Sequence, residues 1–328
     1  MLKEQVLNTI KKYNLISEND KIICGVSGGP DSICMLDILK DLKEEFKFEI
    51  IVCHVNHLIR EEAISDEEYV VNYCKKNNIK CYVKRIDVKN YANNNKQGTE
   101  EAGRTVRYKF FDDILEKENA NKIAIAHNKN DKIETIIMNM LRGSGVSGLR
   151  GIEPKRNNKY IRPLIEIQRA QIEEYCLENN LEPRIDKTNF INDCTRNKIR
   201  NIVIPYIKKE FNPNIINTID RLSSVIEEED KYLEKVTNES FDRLKIKEEK
   251  GLIILNLKEF NKQDRVIKKR LIIYTINKTI GNVQNIEKVN IDDIIKLCDK
   301  NIGNKYLMPN KNIKILVNKN QIFFESKF

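Results

Sequence analysis

Tryptophan is absent from this 328-residue sequence, histidine occurs three times and proline seven times. No apolar run approaches the roughly 20 residues that a membrane-spanning helix needs, which excludes an integral membrane protein. The N-terminal segment is amphipathic and lacks the continuous apolar stretch of a signal peptide, so we expect a cytoplasmic protein. The apolar face of that segment carries Leu2, Val6, Ile10 and Tyr13.

Closely spaced cysteines are also missing. The eight cysteines include no CxxC pair, the spacing that is typical of zinc sites and redox motifs. Several of them lie inside apolar stretches, so we expect buried free thiols and no metal or cluster ligation. They are Cys24, Cys34, Cys53, Cys74, Cys81, Cys176, Cys194 and Cys298.

Positively charged residues are in modest excess over negatively charged ones. The chain has 58 lysines and arginines against 49 aspartates and glutamates, a net charge of +9. This excess favours a polyanionic partner, although heavy use of Lys, Asn and Ile is also what a biased genome composition produces. Apolar residues make up 40% of the sequence, enough for real cores, and the length predicts two or three domains.

Strand and helix patterns alternate in the first half of the chain. Short apolar runs rich in β-branched residues are typical of strands buried on both faces of a parallel sheet, and they occur at 21–26, 48–55, 79–86 and 122–127. Segments of helical period follow them, at 31–45, 65–78, 99–118 and 131–142. The alternation predicts an α/β fold with a doubly wound parallel sheet, whose ligand site lies beyond the carboxyl ends of the strands.

The composition shifts near Asn212-Pro213. We predict a first domain over residues 1–212, which closes with a glycine-rich loop and a helix at 168–180, and a smaller α+β domain over residues 213–328. The patterns of the second domain predict helices at 214–247, 263–279 and 286–299, a strand at 251–257, and a pair of strands within 304–325 around the turn MPNKN.

The stretch GVSGGPDS, residues 25–32, follows the first predicted strand and opens a helix. Glycines there allow close backbone approach, and unpaired N–H groups at the positive end of a helix suit a phosphate. An ordinary turn explains a lone SGG equally well. Asp31 points to chemistry, because an acid beside phosphates needs a Mg²⁺ ion or another cation between them. The Lys-Ser/Thr pair of a γ-phosphate loop is missing, which argues against a kinase or GTPase.

HNKNDKIET, residues 127–135, follows the fourth predicted strand. Asp131 and Glu134 are three residues apart and share one helical face, and His127 lies at the strand end. Acids in a first helical turn also serve as ordinary complements of the helix dipole. On the same sheet edge as the phosphate loop, however, they become candidates for binding a metal or a cationic substrate.

Arginines and lysines form three further groups. Arg104 and Arg107 lie one turn apart, either as solvated residues or within reach of a nucleotide. A dense basic stretch runs from Arg184 through Lys187 and Lys198 to Lys209, and a second patch lies at 262–270. Exposed lysines are usually only solvated, but grouped beside a site they neutralise nucleic-acid phosphates. The few aromatic residues limit base stacking to a Tyr or Phe that the sequence does not identify.

SGGPDS resembles the loop of the PP-loop ATP pyrophosphatases. Further stretches narrow the resemblance to the tRNA(Ile)-lysidine synthetases, in order and spacing over about residues 20–210. They are HVNHLIR (54–60), EEAGRTVRYKFF (100–111), HNKNDKIET (127–135), LRGSGVSGLRGI (141–152), RPLIEI (162–167) and DKTNFINDCTRNKIR (186–200). Residues after 214 resemble that family's first C-terminal domain more loosely.

The resemblance implies that ATP adenylates the wobble cytidine of tRNA(Ile) with a CAU anticodon, and that free L-lysine then replaces AMP. It implies ATP and Mg²⁺ as cofactors, with ATP bound by Ser27, Gly28, Gly29, Pro30, Asp31 and Ser32, and Mg²⁺ held by Asp31. Lysine binding is carried over to Asp131 and Glu134, and catalysis to Asp31, Asp131, Glu134, Arg107 and His127. Among the basic residues we expect tRNA to contact Arg196, Arg200, Lys208, Lys209, Lys268 and Arg270. We expect no membrane partner, and we keep a homodimer among the expected assemblies.

Three positions depart from that family's usual pattern. Leu58 replaces a glycine, Asn130 replaces an acid, and Cys194 replaces an aromatic residue. The change at Asn130 leaves the acidic site to depend on Asp131. Two alternatives stay open: a PP-loop tRNA thiolase, for which no suitable cysteine spacing is present, and a tRNA-binding module without catalysis.

Overall fold

The computed structural model describes residues 2–58, 63–184, 191–300 and 305–327. The chain divides into two compact units, Met1–Ser224 and Val225–Phe328. No helix within the described ranges is both long enough and apolar enough to cross a membrane.

A six-stranded sheet, in the order β3-β2-β1-β4-β6-β5, forms the centre of the first unit. Its strands are β1 (Lys21–Gly25), β2 (Glu49–Asn56), β3 (Lys80–Arg85), β4 (Lys122–Ile125), β5 (Lys155–Arg156) and β6 (Tyr160–Ile161). The neighbours pair in parallel except β5 and β6, which are antiparallel. The predicted doubly wound parallel sheet is confirmed, with one antiparallel strand at its edge.

Helices cover both faces of this sheet. They are α1 (Leu2–Lys12), α2 (Pro30–Phe46), α3 (Ala63–Lys76), α4 (Val88–Asn95), α5 (Thr99–Lys117), α6 (Lys129–Leu141) and α7 (Arg169–Glu178). A 3-10 turn at Val146–Arg150 lies in the glycine-rich loop. The segment after residue 190 contains α8 (Thr195–Lys198), a π-helical stretch (Ile199–Val203), α9 (Ile204–Glu210) and the start of α10 (Ile215–Leu244).

Alternation along the strands explains the two cores. On β1, Ile22 and Cys24 pack in the cluster that includes α2 and α7 residues, whereas Ile23 packs with Phe110 and Phe111 of α5 on the other face. Successive strand residues point to opposite faces of a sheet, so an apolar strand of this kind needs helices on both sides. The predicted apolar face of the first helix is confirmed, because Leu2, Val6 and Ile10 are buried.

Gly25 ends β1 under the ring of Phe111. A Cβ atom at Gly25 would lie 2.6 Å from the Cζ atom of Phe111, closer than packed atoms approach. Glycine is therefore required at the exit of the central strand, where the chain enters the phosphate-loop motif.

The second unit contains a five-stranded antiparallel sheet in the order β7-β8-β11-β10-β9. Its strands are β7 (Lys245–Glu249), β8 (Leu252–Asn256), β9 (Lys305–Asn310), β10 (Ile313–Asn318) and β11 (Gln321–Ser326), and its helices are α11 (Leu257–Asn261), α12 (Arg265–Ile280) and α13 (Lys288–Lys300). Its core includes Phe241, Phe260, Leu271, Ile315 and Phe324, all fully buried.

Two predictions for this unit were wrong. The terminal segment forms three strands, and the residues MPN lie inside β9 rather than in a turn. The helix predicted to residue 247 ends at Leu244, and residues 245–249 form the edge strand β7. Four of the five β7 residues are charged, so neither apolar alternation nor a turn residue marks this strand in the sequence.

Candidate active site

The phosphate-loop motif turns sharply between β1 and α2. Gly28 has a φ of +92°, a conformation that glycine adopts without strain. The Ser32 hydroxyl accepts hydrogen bonds from the backbone N–H groups of Ser27 and Gly28, both at 3.2 Å, and donates to the carbonyl of Gly29 at 3.0 Å. Gly29 is the N-cap of α2, no side chain caps it, and Pro30 follows as the first helical residue. The N–H groups of Asp31 and Ser32, which follow Pro30, then lie at the positive end of α2, where a helix binds an anion.

Asp31 is linked to the second acidic motif by one amide side chain. Asn128 donates from Nδ2 to Oδ1 of Asp31 at 2.8 Å. The same side chain caps α6, because its Oδ1 accepts from the backbone N–H of Asp131 while Asp131 Oδ2 accepts from the backbone N–H of Asn128, both at 3.0 Å. Because β1 and β4 are neighbours, the two helix N-termini meet at one sheet edge. This Asp31–Asn128–Asp131 bridge joins the phosphate loop to the acidic motif.

The carboxyl group of Asp31 is costly to ionise in this position. Burial raises its pKa first, and the nearby charge of Asp131 raises it further, while Arg169, Asn128 and Arg200 act in the opposite direction. When burial raises the pKa of a carboxyl group, a nearby cation stabilises its ionised form. Mg²⁺ usually takes one or two carboxylates and completes its shell with phosphates and water. Asp31 fits that role, and no cluster of three or more potential metal ligands occurs among the described residues.

Two arginines hold the acidic motif. Glu134 is 1% exposed; its Oε1 accepts from Arg200 Nε at 2.6 Å, and its Oε2 accepts from Arg196 Nε at 2.9 Å and from Arg200 Nη2 at 2.8 Å. Asp131 Oδ1 accepts from Nη2 of Arg196 at 3.0 Å and of Arg200 at 3.1 Å. We call these four residues the carboxylate–arginine cluster. The two carboxylates balance the two guanidinium groups, so the cluster has little net charge. Its individual groups can therefore remain ionised while buried.

His127 is held as a neutral imidazole on this sheet edge. Arg162 donates from Nε to His127 Nδ1 at 3.1 Å. Burial lowers the pKa of His127 to about 3, with Arg162 as the next cause. The imidazole is therefore neutral at physiological pH, and a role for it as a general acid would need a large shift on ligand binding.

The HVNHLIR motif begins in the last residues of β2. His54 is buried and bonds the Val26 carbonyl through Nδ1 at 2.9 Å, and no partner is found among the described residues for its Nε2. Burial and the positive charge of Arg107 lower the pKa of His57 to about 4. Arg107 itself is exposed on α5, and Arg104 donates to the Tyr108 hydroxyl at 3.2 Å. The positive charge of Arg107 thus acts on His57, and the structure assigns its guanidinium no hydrogen bond among the described residues.

The predicted tRNA-binding residues fall into three situations. Arg196 and Arg200 belong to the carboxylate–arginine cluster. Lys208 and Lys209 lie in the last turn of α9, and the Lys209 side chain is 83% exposed. In the second unit, Lys268 pairs with Asp299 at 3.0 Å and Arg270 pairs with Asp230. Lys187 and residues 59–60 of the HVNHLIR motif lie outside the described residues.

Two residues of the candidate site were not predicted from the sequence. Asn128 has a recognisable signal, because an Asn followed three residues later by an acid at a helix start is a capping-box pattern. Arg162 has no local signal of this kind, although it is the first residue of the RPLIEI stretch. The pairing of Arg196 and Arg200 with the acidic motif was also missed, because it joins residues 62 to 69 positions apart.

All eight cysteines are free thiols, six of them buried, while Cys81 and Cys194 are partly exposed. The expectation of free thiols is confirmed. Cys24, Cys34, Cys53 and Cys74 all have raised pKa values, so they stay protonated and unreactive at neutral pH.

Residues 2–207 match the model of a family described as a PP-loop domain. The chain is 47% identical over 307 residues to a tRNA(Ile)-lysidine synthase of Clostridium acetobutylicum, covering 93% of this chain and 66% of the relative. Identity to the enzyme of Clostridium tetani is 45% over 323 residues (98% and 68% covered), and to that of Clostridioides difficile 42% over 328 residues (100% and 71%). The chain thus spans about two thirds of the length of these curated relatives.

Among solved structures, the U34-tRNA thiolase NcsA from Methanococcus maripaludis, with its 4Fe-4S cluster, matches with a TM-score of 0.56 and 21% identity. The match covers 69% of this chain and 78% of that chain. At this identity the likeness supports the fold alone.

Proposed function

This chain belongs to the tRNA(Ile)-lysidine synthase family, built on a PP-loop domain, and we propose that it joins free lysine to C2 of the wobble cytidine of tRNA(Ile) with a CAU anticodon. ATP is consumed, and AMP and pyrophosphate are released. The observation that carries the proposal is the Asp31–Asn128–Asp131 bridge, because it connects a site for the leaving phosphates to a site for an amine.

In the first step the cytosine O2 attacks the α-phosphorus of ATP. The new O–P bond replaces the bond between the α-phosphorus and the bridging oxygen, and pyrophosphate leaves. Backbone N–H groups at the start of α2 and the hydroxyls of Ser27 and Ser32 would bind the departing phosphates. Asp31 would hold Mg²⁺, which supplies positive charge against the pyrophosphate oxygens when it is bound.

In the second step the ε-amine of lysine attacks C2 of the adenylated base, and AMP leaves with the electron pair of the C2–O bond. An unperturbed lysine amine has a pKa of about 10.4, so it must lose a proton before it attacks. Asp131 and Glu134 are suited to bind the ammonium group and to take up a proton. A carboxylate has about four lone-pair sites. Asp131 uses three of them on Arg196, Arg200 and Asn128, so it can accept a further donor without losing the arginines.

The tRNA supplies the polyanion that the positive net charge favours. We propose that Lys208 and Lys209 bind its phosphates. The other predicted tRNA contacts are kept in the proposal, at Lys268, Arg270, Arg196 and Arg200. The domain boundary at residues 212 and 213, the tRNA-binding role of the second domain, the homodimer and the cytoplasmic location belong to the same proposal.

Incubation of the protein with lysine, α-labelled ATP and tRNA(Ile) transcript tests the proposal. We expect AMP release that depends on lysine and on tRNA. AMP release with a sulfur donor in place of lysine would indicate a thiolase, and tRNA binding without AMP would indicate a binding module. No AMP with any amino acid would refute the proposal.

Variants then test the roles of the two acids. We expect Asp31→Ala and Asp131→Ala to abolish turnover while tRNA binding persists. Asp41→Ala is the matched control, because Asp41 lies on the same helix as Asp31 but pairs with Lys3 at the surface. Near-normal turnover in either site variant would remove that residue from the mechanism.

A further inference from the structure

An exposed aromatic pair lies at the end of α9. Tyr206 is 59% exposed and Phe211 is 74% exposed. Their ring centroids are 5.9 Å apart, and the ring planes form an angle of 62°. Large aromatic side chains are usually at least half buried. Two of them that contact each other and are exposed to solvent therefore indicate a binding surface. We refer to Tyr206 and Phe211 as the aromatic platform.

The backbone fixes the position of this platform. Pro205 lacks an N–H group and cannot continue an α-helical ladder. The π-helical stretch Ile199–Val203 precedes it, and the N–H of Ile204 bonds the carbonyl of Ile199. After the helix, the N–H of Phe211 bonds the carbonyl of Ile207 at 3.0 Å, which holds Phe211 next to Tyr206. A π-helical turn inside a helix often marks a functional position.

The same segment connects the platform to the carboxylate–arginine cluster. Arg200 bonds Glu134 from within the π-helical stretch, and Tyr206 follows six residues later. At about 1.5 Å per residue, this separation is about 9 Å along the helix axis. A nucleotide that neighbours the target base can span such a distance when the bases of a loop are splayed apart.

Charge and area favour a nucleic acid as the partner of the platform. Lys208 and Lys209 lie between Tyr206 and Phe211 in sequence, and Lys209 is paired only with its neighbour Glu210, at 3.1 Å, among the described residues. Within residues 199–211, the exposed large apolar side chains are the two rings and Ile202, one turn earlier. Three side chains are far less than the roughly 1,000 Å² of a stable protein interface, but one ring is enough to stack on a base.

We infer that the aromatic platform stacks on the adenine that follows the target cytidine in the CAU anticodon, while Lys208 and Lys209 contact the flanking phosphates. This inference rests on the proposed function. Stacking on a neighbour would hold the loop open so that the cytidine can enter the site. It would act on RNA affinity and leave the binding of ATP and lysine unchanged.

An anticodon stem-loop with 2-aminopurine in place of that adenine reports stacking directly. We expect the wild-type protein to change its fluorescence on binding, and Tyr206→Ala with Phe211→Ala to remove most of the change. Base–aromatic stacking of about 1–3 kcal/mol predicts a rise of about 5- to 160-fold in the KM for tRNA, with the KM for lysine unchanged. Tyr206→Phe keeps the ring and should behave like the wild type. Leu177→Ala, which removes an exposed apolar side chain of α7, is the control.

Three results would overturn the inference. The first is wild-type turnover without any fluorescence change on binding, which needs no variant to fold. The second is a folded double variant with an unchanged KM for tRNA. The third is a concentration-dependent dimer in sedimentation that the double variant abolishes, since the platform would then be a subunit contact. Absence of lysine-dependent AMP release by the wild type would instead refute the proposed function, so the two failures can be told apart.

Discussion

Replacing Glu134 by glutamine tests how the carboxylate–arginine cluster is held together. Glu134→Gln keeps the size and shape of the side chain but removes its charge and converts one oxygen into an NH₂ group. That group would face an arginine donor, because both carboxylate oxygens accept from Arg196 or Arg200 in the structure. At least one of the three hydrogen bonds must break, and two arginines would share the single negative charge of Asp131.

The size of the effect follows from burial. Removing one partner of a buried ion pair costs about 3–5 kcal/mol. Both arginine side chains are partly exposed, so water can solvate them in part, and we expect a loss of about 2–4 kcal/mol in the free energy of unfolding. Glu173→Gln is the matched control: it breaks an exposed pair with Arg169, and such pairs contribute less than about 1 kcal/mol.

Urea unfolding followed by circular dichroism measures the difference, and hydrogen exchange of peptides from α6 shows where it arises. A double-mutant cycle with Arg200→Met should give a coupling free energy of at least about 1 kcal/mol, because the two side chains are in direct contact. If Glu134→Gln unfolds at the same urea concentration as Glu173→Gln, the cluster does not stabilise the fold and the reasoning from burial is wrong.

Two further predictions concern stability. Burial lowers the pKa values of all three histidines, that of His57 to about 4 and that of His127 to about 3. Below pH 6.5 the unfolded chain therefore binds more protons than the folded chain. The free energy of unfolding should fall as the pH drops from 6.5, by about 2 kcal/mol at pH 5 for His127 alone. Urea midpoints measured from pH 7.5 to 5 check this, and an NMR titration of His127 near pH 6.5 would contradict it. Gly25→Ala should lower the free energy of unfolding by about 1–3 kcal/mol, because the added Cβ meets the buried Phe111 ring. Gly145→Ala, where nothing lies within 4 Å of the added Cβ, should unfold at or slightly above the wild-type midpoint; equal effects of both substitutions would rule out the clash.

Much of the first unit could be predicted from sequence because its strands are buried on both faces. The run predicted at 48–55 is β2, Glu49–Asn56, and the helix predicted at 99–118 is α5, Thr99–Lys117. A strand that alternates apolar residues towards two helix layers leaves a local pattern. β7 leaves none, since it is a charged edge strand that continues directly from α10.

The candidate site was predictable only in part. Its strand-end location follows from topology, so Asp31 and Asp131 were expected at one sheet edge. Which side chains meet there was not predictable, because Arg196 resembles the other basic residues of its stretch in sequence. The structure pairs it with Glu134 across 62 residues, a tertiary contact that neither charge nor periodicity encodes.

Asn128 makes the candidate active site depend on the chemistry of a single side-chain amide. Its amide donates to Asp31 and its carbonyl accepts from the Asp131 backbone, so the bridge depends on an uncharged residue that has both a donor and an acceptor. Deamidation of Asn128 would replace the donor with an oxygen and set three carboxyl groups in a row. The protein would then lose the link between its two helix starts without losing any part of its core.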